Sequence, residues 1–136
     1  MANHVARVVV AEDDHEMREL VSESLRRDAY DVLTVGDGAG LLVRIGRQYR
    51  ICEPEPQIDL VVTDLRMPVV TGLEILRGLR AARCPTPVIL MTAFGDDHVR
   101  REATELGAVL LDKPFAMAAL RAIAGDLLKR TFESAL

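Results

Sequence analysis

The sequence predicts an α/β fold, a doubly wound five-stranded parallel sheet flanked by five helices. Short apolar runs alternate with longer segments in which apolar residues recur at helical spacing, which is the pattern of repeated βα units. The short runs are rich in β-branched residues and do not alternate with polar ones, as expected of strands that helices cover on both faces. These runs lie near Val8, Val32, Leu60, Val88 and Val109.

The first two predicted helices begin in different ways. Asp14 can cap the first helix through its carboxylate. The apolar stripe of that helix comprises Met17, Leu20, Val21 and Leu25. A glycine-rich segment, residues 36–40, opens the second helix, which we expect to run to about Tyr49. Prolines keep the following stretch, residues 50–57, extended, and we interpret it as a surface loop away from the functional site.

The other three helices follow the third, fourth and fifth strands. Thr71 can cap the third helix, and the inward positions of that helix are Ile75, Leu76 and Leu79. The fourth helix is polar and carries two arginines, Arg100 and Arg101. The apolar stripe of the last helix comprises Met117, Leu120, Ala124, Leu127 and Leu128.

Composition indicates one globular domain without a surface for nucleic acid. The chain has 136 residues, of which 49% are hydrophobic and 28% charged. That length is sufficient for one domain with a buried core. A formal net charge of −4 and the lack of a basic block argue against direct binding to nucleic acid.

The sequence also favours a location in the cytoplasm, without contact to a membrane. No apolar stretch approaches the ~20 residues that are needed to cross a bilayer. The first strand begins near the N-terminus, and no hydrophobic segment typical of a signal peptide precedes it. Cys52 and Cys84 show no CxxC spacing, and we interpret them as free thiols in a reducing compartment.

Residues with useful chemistry follow four of the predicted strands. An acidic triplet, residues 12–14, follows the first strand, and Asp64 ends the third. Thr92 ends the fourth strand, and Lys113 comes just after the fifth. In an open parallel sheet, groups at the carboxyl ends of the strands gather at one edge. Carboxylates, a hydroxyl and an ammonium group would therefore meet, which is the composition of a magnesium-dependent aspartyl-phosphate site.

These four segments, in this order, resemble the receiver domain of bacterial two-component response regulators. The segments read EDD at residues 12–14, TDLRMP at 63–68, MTA at 91–93 and KPF at 113–115. The resemblance covers about residues 7–130. It implies a flavodoxin-like sheet with the strand order 2-1-3-4-5, and we expect residues 1–136 to form a single receiver domain.

The resemblance implies a phosphoacceptor site with three reacting side chains. Asp64 matches the nucleophile, which would take a phosphoryl group from the phosphohistidine of a sensor histidine kinase or phosphotransfer protein. An aspartate can hold such a group as an acyl phosphate. Thr92 would donate a hydrogen bond to a phosphoryl oxygen, and Lys113 would neutralise charge on the transferring group. The peptide bond between Lys113 and Pro114 is expected to be cis.

The same resemblance implies a Mg²⁺ ion beside the nucleophile. Asp13, Asp64 and the backbone carbonyl of Arg66 would be its ligands, and Glu12 would bind through a water molecule. Mg²⁺ favours near-octahedral oxygen ligands and usually keeps several waters, so this set suffices. Crowded acids also repel one another, and a divalent cation relieves that repulsion.

The chain departs from the family pattern at a position linked to activation. Leu110, three residues before the lysine, stands where many receivers have an aromatic residue that swings inward. We therefore expect activation to run mainly through Thr92 and the loop at residues 93–96, and to alter the fourth helix. Arg66 and Phe94 occupy positions that in the family tune the loss of phosphate.

The predicted function is signalling, in which the domain catalyses only its own phosphorylation and dephosphorylation. Its output would be a downstream protein partner, a covalently linked output domain or a phosphorylation-dependent homodimer. The alternative is a Mg²⁺-dependent α/β phosphohydrolase with Asp64 as nucleophile. That class places a second aspartate two residues later, where this chain has Arg66. A receiver that acts without phosphorylation is disfavoured, because every site position carries a competent residue.

Overall fold

The structure, a computed structural model, describes residues 4–49, 54–93 and 96–134. Strands and helices alternate along these residues, as predicted. The strands are β1 (Arg7–Ala11), β2 (Asp31–Val35), β3 (Leu60–Asp64), β4 (Val88–Thr92) and β5 (Val109–Asp112). The helices are α1 (His15–Arg26), α2 (Gly38–Arg47), α3 (Gly72–Ala81), α4 (Asp97–Glu105) and α5 (Met117–Ser134). The predictions for Cys52 and Phe94 concern residues outside the described ranges.

The strands form one parallel sheet in the order β2-β1-β3-β4-β5, which confirms the predicted topology. Strand β1 lies between β2 and β3, since Val8 pairs with both Val32 and Leu60. Strand β5 pairs with β4 at the other side of the sheet, and Thr92 lies opposite Asp112. All five strands run in the same direction, so their carboxyl ends form a single edge.

Helices cover both faces of the sheet, and each face has its own apolar core. On one face, α2, α3 and α4 contribute buried residues that include Leu41, Leu76 and Ala103. On the other face, α1 and α5 contribute Val21, Leu25, Leu120, Ala124 and Leu128. The three predicted inward residues of α3 are all buried, which confirms that part of the helix assignment.

Burial differs between the central strands and the edge strands. Every residue of β1, β3 and β4 is buried, as predicted for strands covered on both faces. In β2 only Val32 is buried, and in β5 only Leu111. An edge strand has a neighbour on one side only, and the helices extend over it incompletely. The prediction of full burial is therefore wrong for the runs near Val32 and Val109.

Some details of the helices also differ from the sequence prediction. Leu20 is 54% exposed, because it lies one residue away from the buried face that Val21 and Leu25 define on α1. Helix α2 ends at Arg47 instead of Tyr49. The amide of Tyr49 donates to the carbonyl of Gly46 at 3.1 Å, which is the tighter turn common at helix ends. None of the described helices is both long and apolar enough to cross a membrane.

The predicted helix caps are present on both sides of the sheet. The carboxylate of Asp14 accepts a hydrogen bond from the amide of Met17 at 2.9 Å. The hydroxyl of Thr71 accepts from the amide of Glu74, and the Glu74 carboxylate accepts from the amide of Thr71, both at 3.1 Å. This reciprocal pair satisfies two amide groups that the first turn of a helix leaves free. The cap predictions for Asp14 and Thr71 are confirmed.

The loop between β3 and α3 contains a residue with an unusual backbone conformation and a close contact with α2. Val69 is 94% exposed and has a φ of 69°, a left-handed conformation that a β-branched residue rarely adopts. The next residue, Val70, packs against the start of α2. A Cβ atom added to Gly38 would lie 2.4 Å from the carbonyl oxygen of Val70, so this approach requires glycine.

The proline-containing loop is anchored at the amino end of the sheet. Glu55 accepts a hydrogen bond from the guanidinium of Arg7 at 3.0 Å. Arg44 and Arg47 of α2 lie 3.6 and 3.5 Å from the same carboxylate. Residues 54–57 therefore lie at the end of the sheet opposite the strand carboxyl ends, as expected of a surface loop away from the site.

Candidate functional site

The residues predicted to act together follow neighbouring strands at one edge of the sheet. Glu12 continues from the end of β1, and Asp64 ends β3 beside it in the sheet. Thr92 ends β4, and its carbonyl accepts a hydrogen bond from the amide of Lys113 at 2.7 Å. The parallel order of the strands alone brings these four residues to the same edge.

Lys113 links the two buried acids of the site. Its Nζ atom donates to Oε1 of Glu12 and to Oδ2 of Asp64, each at 3.2 Å. Both carboxylates are nearly inaccessible, since Glu12 is 1% and Asp64 8% exposed. The Lys113 ammonium group therefore lies within hydrogen-bonding distance of the proposed nucleophile, Asp64. The peptide bond between Lys113 and Pro114 is cis, as the resemblance implied.

Three carboxylates of the site could bind a metal ion together. One oxygen each from Glu12, Asp13 and Asp64 can be chosen so that all three lie within 4.8 Å of one another. Oε2 of Glu12 is buried and has no hydrogen-bond partner among the described residues. A buried carboxylate oxygen without a partner is costly, and a hard cation or its water shell would satisfy it. The donor set therefore fits Mg²⁺.

Burial and neighbouring charge change the protonation of this cluster. The pKa of Glu12 is raised to about 7, first by burial and then by its interaction with Asp64, while Lys113 acts in the opposite direction. Burial would lower the pKa of Lys113, but the charges of Asp64 and Glu12 prevail and raise it. Lys113 therefore stays charged at neutral pH, whereas Glu12 changes its charge close to neutrality.

The raised pKa of Glu12 should make the stability of the metal-free protein depend on pH. The folded carboxyl keeps its proton to about pH 7, whereas an exposed glutamate has an ordinary pKa of 4.5. The resulting stabilisation is fully present below that lower value and is lost as the pH rises through about 7. We expect the urea midpoint of unfolding, measured with EDTA, to be higher at about pH 5.5 than at about pH 7.5.

The Glu12→Gln variant is the control for this pH dependence. It keeps the shape of the side chain but cannot titrate, so its urea midpoint should change much less between the two pH values. An equally large change in Glu12→Gln would assign the dependence to another group.

Thr92 lies at the same edge of the sheet as Asp64, and the backbone of Arg66 contacts the Asp64 carboxylate. Thr92 is 2% exposed, and its hydroxyl oxygen has no hydrogen-bond partner among the described residues. The amide of Arg66 donates to Oδ1 of Asp64 at 3.3 Å, while the Arg66 side chain is exposed. The hydroxyl of Thr92 is therefore available to donate a hydrogen bond to a group bound at this edge of the sheet.

Two structural neighbours of the site were not identified from the sequence. A Cβ atom added to Gly72 would lie 2.4 Å from the carbonyl oxygen of Asp64, so α3 begins against the backbone of the proposed nucleophile. Asp112 accepts two hydrogen bonds from Arg100 of α4. The second contact joins residues from different elements, and no local motif in the sequence marks it.

Leu110 takes an apolar position beside the site. It is half-buried, pairs with Leu90 across the sheet and packs against the core under α2, α3 and α4. The side chain fills space there, but it has no polar group with which to exchange one partner for another.

Sequence comparisons connect this chain to response regulators. A profile described as "Response regulator receiver domain" matches residues 8–124. The transcriptional regulatory protein CutR of Streptomyces coelicolor is 39% identical over 126 residues, which cover 92% of this chain and 54% of CutR. The transcriptional activator protein PfeR of Pseudomonas aeruginosa is 36% identical over 125 residues, covering 91% of this chain and 38% of PfeR. The chain spans about half the length or less of these curated relatives.

Solved structures give the same result for the fold. The receiver domain of the Francisella response regulator 1452 has a TM-score of 0.81 at 28% identity, covering 93% of this chain and 98% of that one. The BeF3-activated receiver domain of DrrB has a TM-score of 0.77 at 29% identity, covering 93% of this chain and 99% of that one. Both similarities extend over nearly the whole of the chain.

Proposed function

This chain belongs to the receiver-domain family of two-component response regulators, and from that membership we propose that Asp64 is its phosphoacceptor. The phosphoryl donor would be the phosphohistidine of a sensor histidine kinase or phosphotransfer protein. The observation that carries the proposal is the contact of Lys113 with both Asp64 and Glu12 at the strand ends. Mg²⁺-dependent transfer from acetyl phosphate to Asp64 is the test.

In the proposed reaction, an oxygen of the Asp64 carboxylate forms a bond to phosphorus while the phosphorus–nitrogen bond of phosphohistidine breaks. The bonding electron pair stays on the ring nitrogen, and the histidine leaves as imidazole with its proton on the other nitrogen. Lys113 offsets charge on the phosphoryl oxygens, and the Thr92 hydroxyl donates to one of them. The amide of Arg66 keeps Asp64 oriented during the transfer.

We propose Mg²⁺ as the metal of this site, with Asp13, Asp64 and the carbonyl of Arg66 as direct ligands. Glu12 would contribute through a water molecule. The unsatisfied Oε2 atom of Glu12 and the close approach of the three carboxylates support this set. When bound, Mg²⁺ would neutralise charge on the phosphoryl oxygens and on the surrounding acids.

The proposed output is control of another domain or protein. The relatives named above are a transcriptional regulator and a transcriptional activator, and each is longer than this chain. We propose that residues 1–136 form one receiver domain that acts in the cytoplasm. Its phosphorylated state would bind a partner, a linked output domain or a second copy, and would leave contact with nucleic acid to the output component. Family membership makes this a signalling domain and leaves the phosphohydrolase alternative without support.

Replacing Asp13 with alanine should weaken Mg²⁺ binding more than replacing Glu12. Loss of a direct ligand should cost roughly tenfold or more in affinity, and loss of a water-mediated contact should cost less. Mg²⁺ titrations followed by amide chemical shifts would measure both. Glu16→Ala, which removes an exposed acid from the first turn of α1, is the matched control. A larger loss of affinity in Glu12→Ala would reverse the two roles.

A further inference from the structure

Helix α4 is tied to strand β5 by a two-point ion pair. Nη1 of Arg100 donates to Oδ1 of Asp112 at 2.6 Å, and Nη2 donates to Oδ2 at 3.1 Å. A pair of this kind fixes the orientation of both side chains as well as their distance. A second ion pair, between Arg77 and Glu102, ties the same helix to α3. Charged contacts therefore hold α4 on both of its sides.

The ion pair lies directly beside the proposed reaction site. Asp112 precedes Lys113 in the chain and lies opposite Thr92 in the sheet. Arg100 belongs to the first turn of α4, which begins at Asp97, only a few residues after Thr92. A displacement of the start of α4 toward Asp64, relative to β5, would therefore change the distance between Arg100 and Asp112.

A hydrogen bond gained by the Thr92 hydroxyl would compete with the ion pair between Arg100 and Asp112. This hydroxyl is buried and has no hydrogen-bond partner within the part of the chain that the structure describes, and an unsatisfied buried donor is unfavourable. A phosphoryl group on Asp64 would offer an acceptor, and the hydroxyl would gain a hydrogen bond by moving toward it. Leu110 has no polar group through which to take part, and α4 begins only a few residues after Thr92 in the chain.

We propose that the Arg100–Asp112 pair is a latch that holds α4 in its unphosphorylated position and resists activation through Thr92. This inference rests on the proposed phosphorylation of Asp64 and names a way in which that site is regulated. Arg100 is a positioning residue, because it acts through Asp112 and the position of α4. The latch would take the place of an aromatic switch, which this chain lacks because it has Leu110 at that position.

The expected effect is moderate because both side chains are partly exposed. The Arg100 side chain is 36% and the Asp112 side chain 62% exposed, so solvent screens their attraction. Releasing such a pair should change the equilibrium between the two positions of α4 by about twofold to fivefold. The change should weaken as salt is added, since salt screens exposed charges.

The test is the binding of beryllofluoride with Mg²⁺ to wild type, Arg100→Ala, Asp112→Ala and the double variant. We expect Arg100→Ala to bind beryllofluoride about twofold to fivefold more tightly than wild type. The amide shifts of residues 97–105 in unliganded Arg100→Ala should also move part of the way toward their beryllofluoride positions. The double variant should bind like a single variant, because either substitution alone removes the latch.

Arg101→Ala is the matched control, since it removes the neighbouring exposed arginine, for which no ion pair occurs among the described residues. Its affinity should equal that of wild type. Equal affinities in wild type and Arg100→Ala, or additive effects in the double variant, would overturn the latch while leaving phosphorylation of Asp64 intact. A wild type whose spectrum does not respond to beryllofluoride would instead contradict the proposed function.

Discussion

Replacing Asp64 with asparagine should abolish the uptake of a phosphoryl group from acetyl phosphate in the presence of Mg²⁺. Asparagine keeps the size of the side chain but lacks the anionic oxygen that would attack phosphorus. Intact-mass spectrometry should show one added phosphoryl group in wild type and none in Asp64→Asn. The labelling of wild type should also disappear when EDTA removes the metal.

Asp31→Asn provides the comparison for this experiment. Asp31 is an exposed aspartate at the start of β2, at the opposite end of the sheet, and its replacement should leave labelling unchanged. Equal labelling of wild type and Asp64→Asn would show that another group accepts the phosphoryl group. If Lys113→Ala were labelled at the wild-type rate, the proposal that Lys113 offsets charge on the phosphoryl oxygens would be contradicted.

Replacing Gly72 with alanine should destabilise the fold and disturb the site together. The added Cβ atom would lie 2.4 Å from the carbonyl oxygen of Asp64 and 3.1 Å from Cδ2 of Leu90. The backbone that carries Asp64 must then shift, and overpacking of this kind typically costs about 1–3 kcal/mol. We expect a lower urea midpoint and slower labelling by acetyl phosphate.

Gly78→Ala in the same helix is the matched control for Gly72→Ala. A Cβ atom added at Gly78 meets no atom of the described residues within 4 Å, and alanine is favoured over glycine in a helix interior by roughly 1 kcal/mol. Gly78→Ala should therefore be neutral or more stable than wild type, with unchanged labelling. If both variants lowered the urea midpoint by the same amount, the close contact with the Asp64 carbonyl would not be the cause of the destabilisation.

The sheet order and the clustering of the strand-end residues could be predicted because they follow from repeated local patterns. Each apolar run marks a strand, and parallel strands necessarily bring their carboxyl ends to one edge. Caps such as Asp14 and Thr71 could be predicted for the same reason, since a cap involves residues only three positions apart.

The features that escaped prediction depend on distances between elements. The incomplete burial of β2 and β5 depends on how far the helices extend over the edges of the sheet. The Arg100–Asp112 pair and the contact of Gly72 with the Asp64 carbonyl depend on the packing of helices against strand ends. The spacing of apolar residues along the sequence carries no information about the distances between packed helices and strands.

The contact between Lys113 and Glu12, which lie 101 residues apart in the sequence, also orders events during protein synthesis. Chains emerge N-terminal end first, so Glu12 and Asp64 leave the ribosome before Lys113. Until β5 is added, Glu12 and Asp64 lack the lysine counter-charge that both contact in the folded domain. If Asp64 is the phosphoacceptor, as proposed, a growing chain would acquire the complete site only after its last strand is made.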